Sequence, residues 1–480
     1  MSEKPENVEE TLGSEQSVAT QPGPKKPGLF ARLFGNVASD TDLEIIIAPF
    51  WDANGADHGK TLGAVFSGRD GIHINTIRET PVLTAEVDRA DNLPLACTQA
   101  MNWLGQENAD LVLWGDVPAL GNVMFIYFAA APPQDEDPAG TISPFQALIL
   151  PIGFDPETLG ALVLAGALAA INPSTEKKRQ TRQNLVAHAL EKAAEAMENI
   201  PVDMTPREQA SLQAMFANAL AAFGHLFPGT EVYQRASQAY EKAIKGLLRS
   251  ESPTNWAYLQ RNLGTVLQAL GERTDDIDIL SHAETAYNAA LEVFTFESTP
   301  FPWATTQNRL GEVLYRIDIK TGATANLKKA LGNYQAALKV LNKRSTPMLW
   351  SETLNNFAQS AQVLGREMDN GDMVERAIAA CKKALGVRKP SEQPTLWAAT
   401  QNNMGSALFL LGRMTNEDDH YKNALKSFME ARETYARLGL TKMVEITEKN
   451  IAHAQDRLPE GGKVNGSEPA MWWQEEDDDT

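Results

Sequence analysis

Two rhythms of apolar and polar positions divide the chain. From about residue 175 to 458 apolar residues recur at steps of three and four, which lines one face of an α-helix. Between Asp42 and Phe154 they alternate or run together in short blocks, the spacing of strands with helices between them. Within the helical half one phrase is written four times at a spacing of 47 residues, marked by Trp256, Trp303, Trp350 and Trp397. A proline stands three places before each Trp (Pro253, Pro300, Pro347, Pro394), and Leu263-Gly264, Leu310-Gly311, Phe357-Ala358 and Met404-Gly405 follow in register. Further on come Ala283, Ala330, Ala377 and Ala424, then Tyr287, Tyr334, Cys381 and Phe428, then Ala290, Ala337, Ala384 and Ala431. A fixed period of this length marks an array of helix pairs, none of which can bury its apolar face alone.

Each unit reads as two helices. Leu263, Leu267 and Leu270 form the stripe of a first helix, and Gly264 lets a neighbour approach. Ala283, Tyr287 and Ala290 form the stripe of a second, with small residues flanking one ring. Ser252, Thr299 and Thr346, each followed by proline, are expected N-caps, and Gly271, Gly365 and Gly412 expected helix stops. The Trp column is expected to serve packing. The register also runs backwards: Gln213, Phe216, Leu220, Phe223-Gly224, Ala236, Tyr240 and Ala243 make a Trp-less unit. Leu185 to Met197 precedes it as a lone second helix, and Thr441 to Leu458 closes the array.

Asn262-Leu263-Gly264 with Leu267, then Ala283, Tyr287 and Ala290, with their counterparts in later units, resemble the tetratricopeptide repeat family. The period exceeds that family's usual length by a long inter-helix loop and an extra turn carrying the Trp, as in some bacterial members. The resemblance implies an α-solenoid over 175–458 whose first helices line a concave face that holds peptides or proteins. Arg261, Asn308, Asn355 and Asn402, five places after each Trp, stand beside the core stripe. A row of side-chain amides at the repeat period can hold the backbone N–H and C=O of an extended ligand. The alternative is a solvated polar row. Asn262, Asn356 and Asn403, one place later, resemble a structural Asn of the family that ties adjacent helices.

In the other half, Leu43–Phe50, Gly71–Ile77, Ala109–Val117 and Val123–Ala130 read as strands, Pro94–Gln106 as a helix, and Phe145–Phe154 as a last apolar stretch. They predict a small α/β domain over 42–154. Ile47-Ala48-Pro49-Phe50, then a helix, then Ala109–Val117 and a hairpin resemble the amino-terminal domain of TolB-type proteins, which implies binding or assembly and brings no catalytic residues. Residues 155–174 are expected to form a buried connecting helix around Gly160–Ile171, with shallow membrane insertion as the alternative. The fold class expected is therefore a multidomain chain: an α/β domain, then an all-α superhelical solenoid, with unstructured ends.

Chemistry is sparse. Asn54-Gly55-Ala56-Asp57-His58-Gly59-Lys60-Thr61 ends like a phosphate-binding loop, but its first glycine is one place late and Asp57 would oppose an anion. A turn capping a short helix is expected there, with a nucleotide-gated regulator as the rival. Cys97 and Cys381 lie apart and are expected to pack, and the seven histidines form no ligand spacing. No catalytic residue, cofactor or metal is implied. A net charge of −19 argues against nucleic acid as partner and suits a basic one.

The ends carry candidate linear motifs. Residues 1–40 are polar, with Phe30, Leu33 and Phe34 on one helical face near Lys25, Lys26 and Arg32. They suggest a docking helix, a contact at the inner face of the membrane, or an idle linker. Residues 459–480 are acidic and carry Trp472 and Trp473, which suit docking on another protein or on the chain's own groove, or an idle solubilising tail. The acidic N-terminus and the lack of a spanning apolar run predict a cytoplasmic location. The function expected is a non-enzymatic scaffold or adaptor, with a peripheral membrane assembly factor as a further rival.

Overall fold

A computed structural model describes residues 42–458 except 53–55, 57, 80–88, 119–121, 132–134 and 323. Phe30, Leu33, Phe34, Trp472 and Trp473, and with them both terminal motifs, lie outside the described residues.

The first part is a small mixed sheet. Its strands are β1 (Leu43–Ile47), β2 (Trp51–Asp52), β3 (Ile72–Thr76), β4 (Leu111–Val117), β5 (Val123–Ala130) and β6 (Leu148–Pro151), with helices α1 (Gly59–Phe66) and α2 (Arg89–Glu107) between them. The order is β3-β1-β4-β5-β6, and β2 pairs with the end of β4. β1 runs parallel to β3 and β4, whereas β5 is antiparallel to both β4 and β6. All seven residues of β4 are buried because both faces of the sheet are covered. Leu111 and Leu113 face the main core, while Val112 and Trp114 pack with Ala96, Ala100 and Trp103 of α2. Trp114 stacks on Tyr127 of β5 at 4.4 Å.

Among the described residues thirteen further α-helices follow: α3 (Gly160–Ala170), α4 (Glu176–Glu198), α5 (Pro206–Phe223), α6 (Glu231–Gly246), α7 (Pro253–Thr274), α8 (Ile277–Leu291), α9 (Pro300–Thr321), α10 (Thr324–Ala337), α11 (Pro347–Glu367), α12 (Gly371–Leu385), α13 (Pro394–Thr415), α14 (Asp418–Arg437) and α15 (Thr441–Asp456). α3 is buried from Gly160 to Leu168, as its all-apolar sequence requires. It packs on α1, β5, α4 and α5, so one face of the sheet, α1 and the helices α3 to α7 share one core. A second core begins at Leu280 and extends to Ala454.

From α5 onward the helices pair in sequence, α5 with α6 through α13 with α14, and each pair packs on the next. α7, α9, α11 and α13 begin at the prolines of the 47-residue phrase. The small-against-large register holds: a Cβ on Gly264 would come within 2.7 Å of the Tyr287 ring, and one on Gly405 within 2.7 Å of the Phe428 ring. The tryptophans are half-buried at the helix starts, Trp256 beside Phe294 and Trp397 beside Tyr435.

Two local expectations are corrected. Ser252, Thr299 and Thr346 stand at N-cap positions, but none of their side chains caps its helix. The Thr299 and Thr346 hydroxyls instead accept from the backbone N–H of Thr295 and Asn342, closing the preceding turn. Gly271, Gly365 and Gly412 do not stop their helices, which run on to Thr274, Glu367 and Thr415. They are close-approach positions, where a Cβ would come within 2.9 Å of Leu280, 2.7 Å of Val374 and 3.0 Å of Tyr421. The stops are left-handed residues further on, Asp275 at φ 57° and Asn416 at φ 55°. Both types tolerate that conformation.

A groove partly filled by the chain itself

The first helices α7, α9, α11 and α13 line a groove, and part of it is occupied by the connection between β5 and β6. Residues 135–147 of this connection run along the helices as a strap. Near its end, Asn255 Nδ2 donates to the Phe145 carbonyl at 3.0 Å, and Asn262 Nδ2 to the Thr141 carbonyl at 2.9 Å. One helix pair further on, Arg309 Nη2 donates to the Asp137 carbonyl at 2.8 Å and Arg309 Nε to its carboxylate at 3.0 Å. Arg261 completes the clasp with an ion pair to Asp137. One pair beyond, Asp135 accepts from the backbone N–H groups of Met348 and Leu349. It thereby supplies the helix cap that Thr346 does not, at the positive end of α11.

Beneath the strap runs a ladder of amides. Asn218 Oδ1 accepts from Asn262 Nδ2 and from the Tyr240 hydroxyl, and Asn218 Nδ2 donates to Gln146 Oε1. Glu312 gathers Gln268, Asn308 and Asn356 at 3.1, 2.9 and 2.8 Å. Asn403 Nδ2 donates to Asn355 Oδ1 at 3.0 Å, and Asn450 Nδ2 to Asn402 Oδ1 at 3.2 Å. A buried amide costs free energy unless it is bonded, so these steps fix how each pair sits on the next.

The four sequence-predicted groove residues are all buried, none forming a solvated row. Arg261 holds the strap, Asn308 supports Glu312, and Asn402 is tied to α15. Only Asn355 of the four lines the open part of the groove, a cavity of about 640 Å³ beside Asp135, Glu136 and Asp137 of the strap. Its other walls include Glu312, Glu352, Gln359, Arg388 and Leu396, which the sequence reading missed. A signal existed: Glu352 is the one acid in the column Tyr258, Thr305, Glu352, Ala399, two places after each Trp.

Electrostatics in the cavity are uneven. Arg388 is buried and donates to Ser351 Oγ and Thr400 Oγ1, and burial holds its guanidinium below the usual range. Glu352 has no hydrogen bond or ion pair among the described residues. Burial first, then Glu312 and Asp135, push its carboxyl above the ordinary range, against the pull of Arg309 and Arg388.

Other candidates stand apart from the groove. Lys60 is exposed in the first turn of α1, and His58 Nε2 lies 2.7 Å from Asp52 Oδ2. Asn54, Gly55 and Asp57 lie outside the described residues. Cys97 and Cys381 are unpaired thiols, both pushed up to about 12 by burial, which keeps them protonated and unreactive at neutral pH. Among the described residues no helix is long and apolar enough to cross a membrane.

No protein-family model matches the chain, and no curated protein matches it. Among solved structures it is similar to the crystal structure of BtubC (BKLC) from P. vanneervenii. The two share 17% identity over 55% of this chain and 93% of that one, with a TM-score of 0.37, a likeness too loose to define the fold.

Proposed function

We propose that the helical region is a tetratricopeptide-like α-solenoid and that the protein is a non-enzymatic interaction scaffold, holding an extended segment of a partner protein in the groove. One observation carries this reading. The groove already holds a turning segment of the chain, its own strap, through side-chain donors on successive first helices that reach backbone carbonyls (Asn255, Asn262 and Arg309). That is the chemistry of a peptide site, indifferent to most ligand side chains, and the groove stays open beside the strap at Asp135. Helix starts recurring at the repeat period support the solenoid.

A photo-crosslinking residue placed at Leu396, which lines the cavity, tests the reading in the native cell. A partner chain is expected to crosslink there and not at Val202, which is fully exposed elsewhere. Equal capture at both positions, or crosslinks to this chain alone, would overturn it.

A further inference from the structure

The open stretch of groove has a definite chemistry, and the inference drawn from it rests on the peptide-binding reading above. Six carboxylates line it against three guanidinium groups: Glu272, Glu312, Glu352 and the strap's three acids at 135–137 face Arg309, Arg316 and Arg388. The cations are engaged, Arg309 by Asp137 and Glu312, Arg316 by Glu272 and Arg388 by two hydroxyls. Glu312 accepts from three amides and pairs with Arg309 at 3.5 Å, and Asp135 caps α11, whereas Glu352 has neither a hydrogen bond nor an ion pair among the described residues.

A second feature points to a ligand. Gln359, on α11 one repeat after Glu312, lines the same cavity with only 6% of its surface exposed, and its Nε2 has no hydrogen-bond partner. A buried amide donor left unpaired costs about 1–3 kcal/mol. It calls for an acceptor that enters the cavity. On the strap that acceptor is a backbone carbonyl, three times over.

We propose that this stretch binds an extended segment of a partner protein bearing a lysine or arginine, whose backbone carbonyl accepts from Gln359 Nε2 while its cationic side chain meets Glu352. A polyamine would satisfy the carboxylate and leave the amide unpaired, so the combination selects a peptide. Asp135 at the start of α11 and Leu396 of α13 both line the cavity, so the ligand would cross α11 toward α13.

The test is fluorescence anisotropy with the full chain and three labelled ten-residue peptides, identical except for a central Lys-Arg, Ser-Ala or Asp-Glu pair. The Lys-Arg peptide is expected to bind about tenfold more tightly than the neutral one, a difference of ~1.4 kcal/mol. Glu352→Gln should abolish that preference without weakening the neutral peptide. Gln359→Leu should weaken all three alike, with circular dichroism confirming that both variants fold. A flat or reversed charge order, with Gln359→Leu still weakening binding, overturns the cationic ligand and leaves the groove reading standing. No binding by any peptide, or indifference to Gln359→Leu, overturns both. Spermidine binding with Glu352-dependent affinity, where the Lys-Arg peptide does not bind, would reassign the site to a small polyamine and overturn the peptide.

Discussion

Asp137 and Arg261 form a buried ion pair between the β5–β6 strap and the first helix of the array, and Arg309 on the next first helix shares the same carboxylate. One acid thus joins the sheet to two successive helix pairs. A buried charge without its counterion is far more costly than the pair is favourable. Asp137→Ala is therefore expected to destabilise the fold by about 3–5 kcal/mol in denaturant unfolding. Replacing Asp137 and Arg261 together by apolar residues should recover part of that loss, because the uncompensated Arg261 goes with it.

Asp135 and Thr346 trade roles at the start of α11. The threonine hydroxyl turns back to Asn342 N–H, and Asp135 caps the helix from a distant part of the chain. Asp135→Ala should cost about 1 kcal/mol, the usual worth of an N-cap. Hydrogen exchange should speed up in the first turn of α11 and not in that of α9, which has no such external cap among the described residues. Equal change in both turns would mean that Asp135 acts through the strap as a whole.

These two acids explain what the sequence made legible and what it did not. Helix starts at Pro253, Pro300, Pro347 and Pro394 could be read because each unit repeats the same local demand, a stripe at three and four residues. The strands could be read because the unbroken apolar run Leu111–Trp114 answers to a sheet covered on two faces. The strap could not. Its bonds join residues such as Thr141 and Asn262, 121 positions apart, and no periodicity records a contact made once. Asn355 was found because it recurs in register, whereas Gln359 and Glu352 fall where the repeat changes residue type. Gly271 and Gly412 were read as stops because glycine serves both helix ends and close packing, and only the partner side chain decides between them.

The glycine column gives a packing test. A methyl group at Gly264 or Gly405 would push into the ring of Tyr287 or Phe428, both fully buried. Gly405→Ala is expected to cost about 1–3 kcal/mol by overpacking, despite alanine's better helix propensity. Phe428→Leu alone should also destabilise, by leaving space. Together the two changes should cost less than their sum, and strict additivity in a double-mutant cycle would contradict the contact.

Glu352 makes a prediction whose sign depends on pH. Its folded carboxyl is held above the ordinary range, by burial first and then by Glu312 and Asp135, with Arg309 and Arg388 pulling the other way. Between the unfolded and folded values the native state binds more protons than the unfolded chain, so stability falls as pH rises through that window. Below the unfolded value both states are protonated and the penalty disappears. Glu352→Gln, which is neutral at every pH, should therefore raise the thermal midpoint near pH 7 and leave it unchanged near pH 4. Thermal unfolding of both proteins across that range checks it, and an equal shift at both ends would mean that the substitution acts through packing. The same variant is expected to lose its preference for a cationic peptide, so this carboxylate would lower stability at neutral pH while conferring selectivity in the groove.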